Sequence, residues 1–272
     1  MKAKSAIQPH FFVESDLPEP EVVELEGGAA VVYSARGPGK DVNHDSAAIV
    51  PFAGGGCALL IADGLGGQPC AERASCLAIE ALAKTLDKRN KEGGGVREAI
   101  INGLELANTD ILTLGIGAGT TMAIAAITGG AVRATHVGDS MVLVVGQRGT
   151  QKLLTVAHSP TGYAVEAGLM DEEEALFHEE RHLVSNIVGH TSMRIEVGSS
   201  VPLAQRDTVL VASDGLADNM STQEIVEAIR KGPIERAART LFEVCRYRMD
   251  NPTDGQPSKP DDLSFVLYRQ NA

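Results

Sequence analysis

The sequence predicts an α+β protein, and three observations carry that prediction. Short apolar runs of β character follow one another closely. Longer segments of helical periodicity come in pairs, not in alternation with those runs. Turn dipeptides such as Gly129-Gly130 and Gly138-Asp139 separate neighbouring runs, as antiparallel strands joined by tight connections require.

Residues 14–27, ESDLPEPEVVELEG, carry acids and no base. We read 1–27 as an acidic arm or an edge strand, with a docking arm for a basic partner as the alternative. A single domain is expected over 28–272. Its strands are predicted at Ala29–Ser34, Cys57–Ala62, Thr120–Ile127, Val132–Val137, Met141–Val145, Thr208–Ala212 and Leu263–Tyr268. Gln68–Leu86 reads as a helix, with Ala71, Ala74, Ala78 and Leu82 on one face. Val96–Leu114, Thr222–Lys231 and Ile234–Tyr247 read likewise. The acidic stretch 160–190 is expected to be a helical or mobile insertion. The Pro- and Gly-rich segment 250–260 is a loop leading to the last strand.

Composition narrows the function. The 272 residues include no Trp, and aromatics make up 4%, so no stacking platform for nucleic-acid bases is available. A formal charge of −12 disfavours nucleic acid and anionic membrane as partners, although bound cations can reverse the field locally. No run approaches the roughly 20 apolar residues of a membrane span. The four cysteines form no CxxC pair, and reduced thiols in a cytoplasmic protein are expected.

The informative pattern is the position of the aspartates. Asp63 follows CALLIA, Asp214 follows TVLVAS and Asp139 follows ATHVG. Asp261 and Asp262 precede LSFVLY, and Asp45 precedes SAAIV. One Asp-Gly alone reads as a turn. Five acidic sites at the ends of apolar runs suggest carboxylates converging on hard cations, for which oxygen-only ligands are suited. Spacing alone leaves open whether they converge.

Seven short pieces, in order, resemble the metal-dependent protein phosphatases, the PPM or type 2C family, in its bacterial single-domain form. They are Gly37-x-x-Lys40-x-x-Asn43-His44-Asp45, Ala62-Asp63-Gly64-Leu65-Gly66-Gly67, Gly119-Thr120-Thr121, His136-Val137-Gly138-Asp139-Ser140, His158-Ser159, Ser213-Asp214-Gly215-Leu216-x-Asp218 and Asp261-Asp262-Leu263-Ser264. The resemblance implies a four-layer α-β-β-α sandwich of two antiparallel sheets flanked by helices. It implies a serine/threonine phosphatase that hydrolyses phosphoserine and phosphothreonine with water activated by two Mn²⁺ or Mg²⁺ ions. Asp63 would bridge the ions, the Gly64 carbonyl would bind one, and Asp214 and Asp261 would complete the second. Asp139, with Asp214, would hold a third, weaker ion. Asp45 would hold water beside the metals. Lys40 stands where the family commonly has an Arg that grips the substrate phosphate. His44 replaces a common Glu, and Asp262 a common Asn.

His44 can be read as a hydrogen-bonding imidazole near the metals or as a metal contact favouring Mn²⁺. His136 reads as a core residue, and His158 receives no catalytic part. The implied partners are phosphorylated proteins and a cognate serine/threonine kinase, and a monomer is expected. Two rivals remain open: a phosphatase-like binding module without turnover, and a two-metal hydrolase for small phosphorylated metabolites. No GxxxxGK[ST] loop supports an ATPase or kinase.

Overall fold

The computed structural model describes residues 8–271; residues 1–7 of the predicted arm lie outside them. In chain order the elements are β1 (His10–Val13), β2 (Glu21–Leu25), β3 (Gly28–Ala35), β4 (Asp45–Pro51), β5 (Cys57–Asp63), α1 (Ala71–Glu92) and α2 (Val96–Thr113). Then come β6 (Met122–Thr128), β7 (Ala131–Val137), β8 (Met141–Val145), β9 (Gln151–Leu154), α3 (Pro160–Glu166) and α4 (Glu172–Leu176). The chain ends with β10 (Glu196–Pro202), β11 (Thr208–Ala212), α5 (Asp214–Ala217), α6 (Thr222–Ile229), α7 (Ile234–Asp250) and β12 (Leu263–Gln270).

Two six-stranded antiparallel sheets result, ordered β1-β4-β5-β6-β7-β10 and β2-β3-β12-β11-β8-β9. Their central strands are buried on both faces, because each sheet meets the other sheet on one side and helices on the other. Alternation along β5 shows it. Cys57, Leu59 and Ile61 point into the core between the sheets. Ala58, Leu60 and Ala62 point into the core under α1 and α2. In the second sheet Val209 and Val211 face inward, whereas Leu210 and Ala212 face α5, α6 and α7. Three apolar cores therefore separate four layers, the expected α-β-β-α sandwich. Each fully buried Leu or Ile in them stabilises the fold by roughly 1.5–3 kcal/mol.

The helix expected at Gln68–Leu86 begins later and runs longer. Cys70 caps α1 in a left-handed conformation, and Asp87–Glu92 continue the helix with Lys88, Lys91 and Glu92 on its exposed side. It stops at Gly93 (φ 84°). Strands β1 and β2 are edge strands within 1–27, one of the two readings of that segment, and the sequence marks β4 only as the apolar run after Asp45. The strands β9 and β10 went unpredicted because they are edge strands with exposed residues. That exposure erases the alternation, and a register shift between Val197 and Ser200 interrupts β10. The stretch 160–190 forms α3, α4 and a 3₁₀ turn at Glu179–His182. Ser159 and Asp171 cap the two helices by accepting the Gly162 and Glu174 N–H groups.

The link between β11 and β12 is tight. A Cβ on Gly215 would lie 1.9 Å from the Asp262 carbonyl oxygen, so backbone meets backbone there. Gly215→Ala is expected to destabilise the metal-free protein by about 1–3 kcal/mol, as overpacking does. Gly66→Ala faces open space and should stay within about 0.5 kcal/mol. Urea unfolding in chelator checks both; equal stabilities would show that α5 is free to move away from β12.

Candidate metal centre

Antiparallel pairing brings the acidic positions to one end of both sheets. Asp45 opens β4, Asp63 closes β5, and the two are register partners. Like charges directly opposite are destabilising in a sheet unless something lies between them. In the other sheet Ala212, ending β11, pairs with Met141 at the start of β8 and with Phe265 near the start of β12. The segments just beyond those ends carry Asp139, Asp214–Asp218 and Asp261–Asp262. Leu263 pairs with Ala35, which brings the 36–44 loop to the same place.

Each carboxylate is held from several sides. Asp63 lies between Thr121, whose Oγ1 accepts its N–H (3.1 Å), and Thr120, whose Oγ1 donates to its carbonyl (2.8 Å). Gly64 sits so close to neighbouring backbone that a Cβ would lie 2.2 Å from the Ala71 carbonyl oxygen. Asp45 is buried; its Oδ2 accepts from Ser213 Oγ at 2.7 Å, while its Oδ1 has no hydrogen-bond partner. Asp262, also buried, accepts from the Gly37 N–H (2.8 Å), the His44 N–H (3.0 Å) and Lys40 Nζ (2.9 Å). Lys40 Nζ also donates to Asp261 at 2.5 Å. Lys259 Nζ reaches Asp214 (2.8 Å), Asp218 (2.6 Å) and Asp261 (3.3 Å).

The electrostatics follow. Burial, then Asp45, Asp214, Asp261 and Asp139, hold the Asp63 carboxyl well above the usual carboxylate range. Burial and Asp262 push Asp45 to about 8. Burial with Asp214 and Asp218 pushes Asp139 to about 8, and burial with Asp214 pushes Asp218 to about 7. Asp261 differs: burial raises it, but Lys40 and Lys259 outweigh burial and leave it below its ordinary value. Such a cluster is incomplete without further positive charge. The orphaned Asp45 Oδ1, the all-oxygen donor set and the close Gly64 turn fit hard divalent ions.

The three departures from the family pattern are neighbours in space. Lys40 and the His44 N–H both bond Asp262, and His44 Nδ1 lies 3.7 Å from it with no hydrogen-bond partner. An acid in place of Asn thus supplies a counter-charge for the lysine. Arg36 is occupied elsewhere, by Asp16 (3.0 Å) and the Lys40 carbonyl (3.2 Å). Sequence reasoning missed Lys259 and gave Asp218 no part; nothing in the local pattern marks a lysine two residues before Asp261. A cavity of about 340 Å³ opens beside Asp139, Asp214 and Asp218, with Met141, Leu176 and Met220 among its apolar walls.

A second cluster, His136, His158 and Glu196, brings three ligand-type atoms within 4.8 Å of one another. Its hydrogen bonds argue against a metal. His158 Nδ1 accepts from the Gly138 N–H (3.1 Å) and Asn186 Nδ2 (2.9 Å), so the proton sits on Nε2 and is donated to Glu196 (3.0 Å). A metal at Nε2 would require an imidazolate. His136 Nε2 donates to the Val156 carbonyl (2.9 Å) and its ring stacks on His158. The pair braces the loop that carries Asp139.

A pH dependence follows for the metal-free protein. A carboxyl whose folded pKa is raised stabilises the fold fully below its unfolded value, and that contribution is lost as pH rises through the folded value. Asp45 and Asp139 therefore make stability fall between about pH 4 and about pH 8. Melting in chelator should move to lower temperature from about pH 6 to about pH 8. A rise over that interval would mean that the carboxylates do not repel one another.

A family model described as protein phosphatase 2C matches residues 38–249. Protein phosphatase PhpP of Streptococcus pneumoniae is 30% identical over 221 residues, which span 78% of this chain and 85% of PhpP. The crystal structure of the Mycobacterium tuberculosis serine/threonine phosphatase PstP/Ppp superposes with a TM-score of 0.73 at 26% identity, covering 89% of this chain and 98% of that one. A structure of the PstP catalytic domain in complex with two manganese ions superposes with a TM-score of 0.70 at 25% identity, over the same shares. With most of its length matched and its acidic positions gathered at one end of the sandwich, the chain belongs to the protein phosphatase 2C family of metal-dependent serine/threonine phosphatases.

Proposed function

We propose that the acid-lined end of the sandwich hydrolyses phosphoserine and phosphothreonine in protein substrates. The observation that carries this reading is the convergence of Asp63 with Asp45, Asp139, Asp214 and Asp261 on one partly buried point. Divalent ions bound there, Mn²⁺ or Mg²⁺, would lower the pKa of a water molecule and neutralise phosphoryl oxygens.

The chain's own residues divide the remaining work. Asp63, the Gly64 carbonyl, Asp214 and Asp261 would hold the ions. Asp45, fixed by Ser213 and with one free oxygen, orients water at the floor of the site. Lys40, at the rim beside Asp261, attracts the substrate phosphate. Its ammonium stays charged because Asp261 and Asp262 more than offset the effect of burial. Asp262 holds that ammonium in place. An ammonium is a compact point charge, so it orients phosphate less firmly than a guanidinium fork would. The intact carboxylate set favours turnover over a silent binding module.

A cognate serine/threonine kinase, a cytoplasmic setting and a monomeric state complete the proposal. No described helix is long and apolar enough to cross a membrane. The deciding experiment compares phosphothreonine and phosphoserine peptides with sugar phosphates, with Mn²⁺ and after chelation. Peptide turnover restored by Mn²⁺ is expected. Preference for sugar phosphates would instead favour a metabolite hydrolase.

Two variants probe the roles. Asp214→Asn should remove nearly all turnover while leaving metal-free stability intact, since it relieves repulsion on Asp63, Asp139 and Asp218. Lys40→Ala should raise KM for a phosphothreonine peptide by the equivalent of about 1.5–3 kcal/mol, the weight of a charge-assisted hydrogen bond. Arg36→Ala should change KM little. Steady-state kinetics on one peptide decides; the reverse ranking would move the phosphate grip to Arg36.

A further inference from the structure

Lys259 is an unusual lysine. Its ammonium has three N–H donors, and three carboxylates surround it: Asp218 at 2.6 Å, Asp214 at 2.8 Å and Asp261 at 3.3 Å. Its backbone is clamped as well. The fully buried amide of Asn219 accepts the Lys259 N–H (2.9 Å) and donates to the Lys259 carbonyl (2.9 Å), and it also donates to the Gly215 carbonyl (2.9 Å). Ser258, just before it, is tied through Oγ to the Arg248 carbonyl at 2.8 Å. The residue after Asp218 therefore fixes the lysine whose head group neutralises Asp218. Asp214 and Asp218 lie four residues apart at either end of α5, so they face the same way and need a shared counter-charge.

We propose that Lys259, paired with Asp214, Asp218 and Asp261, is a resident cation in place of the third divalent ion expected at Asp139 and Asp214. The proposal rests on the reading above that the site takes divalent ions. It revises the expectation that Asp139 and Asp214 hold a third one.

Charge counting supports it. Asp45, Asp63, Asp139, Asp214, Asp218, Asp261 and Asp262 give seven formal negative charges, and Lys40 and Lys259 give two positive ones, leaving −5. Two divalent ions bring the cluster to −1. A third would make it positive and would compete with the ammonium for Asp214 and Asp218 oxygens. Lys259 thus screens Asp214 and Asp218 permanently, and two ions held beside Asp63 would suffice.

The test counts bound Mn²⁺ by equilibrium dialysis of the intact, metal-stripped protein, with Mn²⁺ as the probe up to millimolar-order concentration. The wild type should saturate at two ions. Lys259→Gln should take up a third, weaker ion, and Lys259→Arg should stay at two. Adding Asp139→Asn to Lys259→Gln should remove the third ion, whereas Asp139→Asn alone should leave the wild-type count at two. Melting in chelator gives a second readout. Lys259→Gln should melt below the wild type without metal and gain more from Mn²⁺. Should Lys259→Gln not fold without metal, the Asp139→Asn and Lys259→Arg counts still decide. Three ions on the wild type, two on Lys259→Gln, or loss of an ion in Asp139→Asn alone would overturn the proposal while leaving the phosphatase reading standing. No Mn²⁺ on the wild type would overturn both.

Discussion

Repulsion among carboxylates gathered at one end of two packed sheets is the constraint on which the rest of the site depends. Burying several like charges together costs more than a domain of this size can spare unless cations or hydrogen bonds compensate. The chain answers with both. Ser213 and the Gly37 and His44 N–H groups donate to Asp45 and Asp262. Lys40 and Lys259 carry positive charge into the same space. What remains is a negative cluster around Asp63 that the two lysines offset only in part, at Asp214, Asp218, Asp261 and Asp262. A rigid scaffold is needed to keep such groups together, and the strands β4, β5, β11 and β12, buried on both faces, supply it.

The substitutions at Lys40, His44 and Asp262 gain their meaning from contact. Considered singly, each weakens the resemblance to the family. In the folded chain Asp262 bonds Lys40 directly and lies within 4 Å of the His44 ring, so the lysine for arginine and the acid for amide act as one exchange. The outcome is a rim ammonium held between Asp261 and Asp262.

Much of this architecture was legible from residue order. The runs CALLIA and TVLVA read as strands because both of their faces are apolar, and the aspartates closing them read as site residues because they sit at stiff ends. The edge strands β9 and β10 were not legible, since exposure removes the signal. Convergence of the carboxylates could not be read from spacing; it arises from pairings such as Asp45 with Asp63 and Ala212 with Met141. Lys259 was hidden for a related reason. Its place among Asp214, Asp218 and Asp261 is set by Asn219, a partner 40 residues away. His158 received no part from the sequence, yet its ring secures the Gly138 N–H beside Asp139.

The central claim is that the carboxylates around Asp63 form the cation site, and anomalous diffraction from crystals grown with Mn²⁺ tests it most directly. The account predicts anomalous peaks flanking the Asp63 carboxylate, in reach of Gly64, Asp214 and Asp261. Strong manganese peaks at His136, His158 and Glu196, with none beside Asp63, would contradict it.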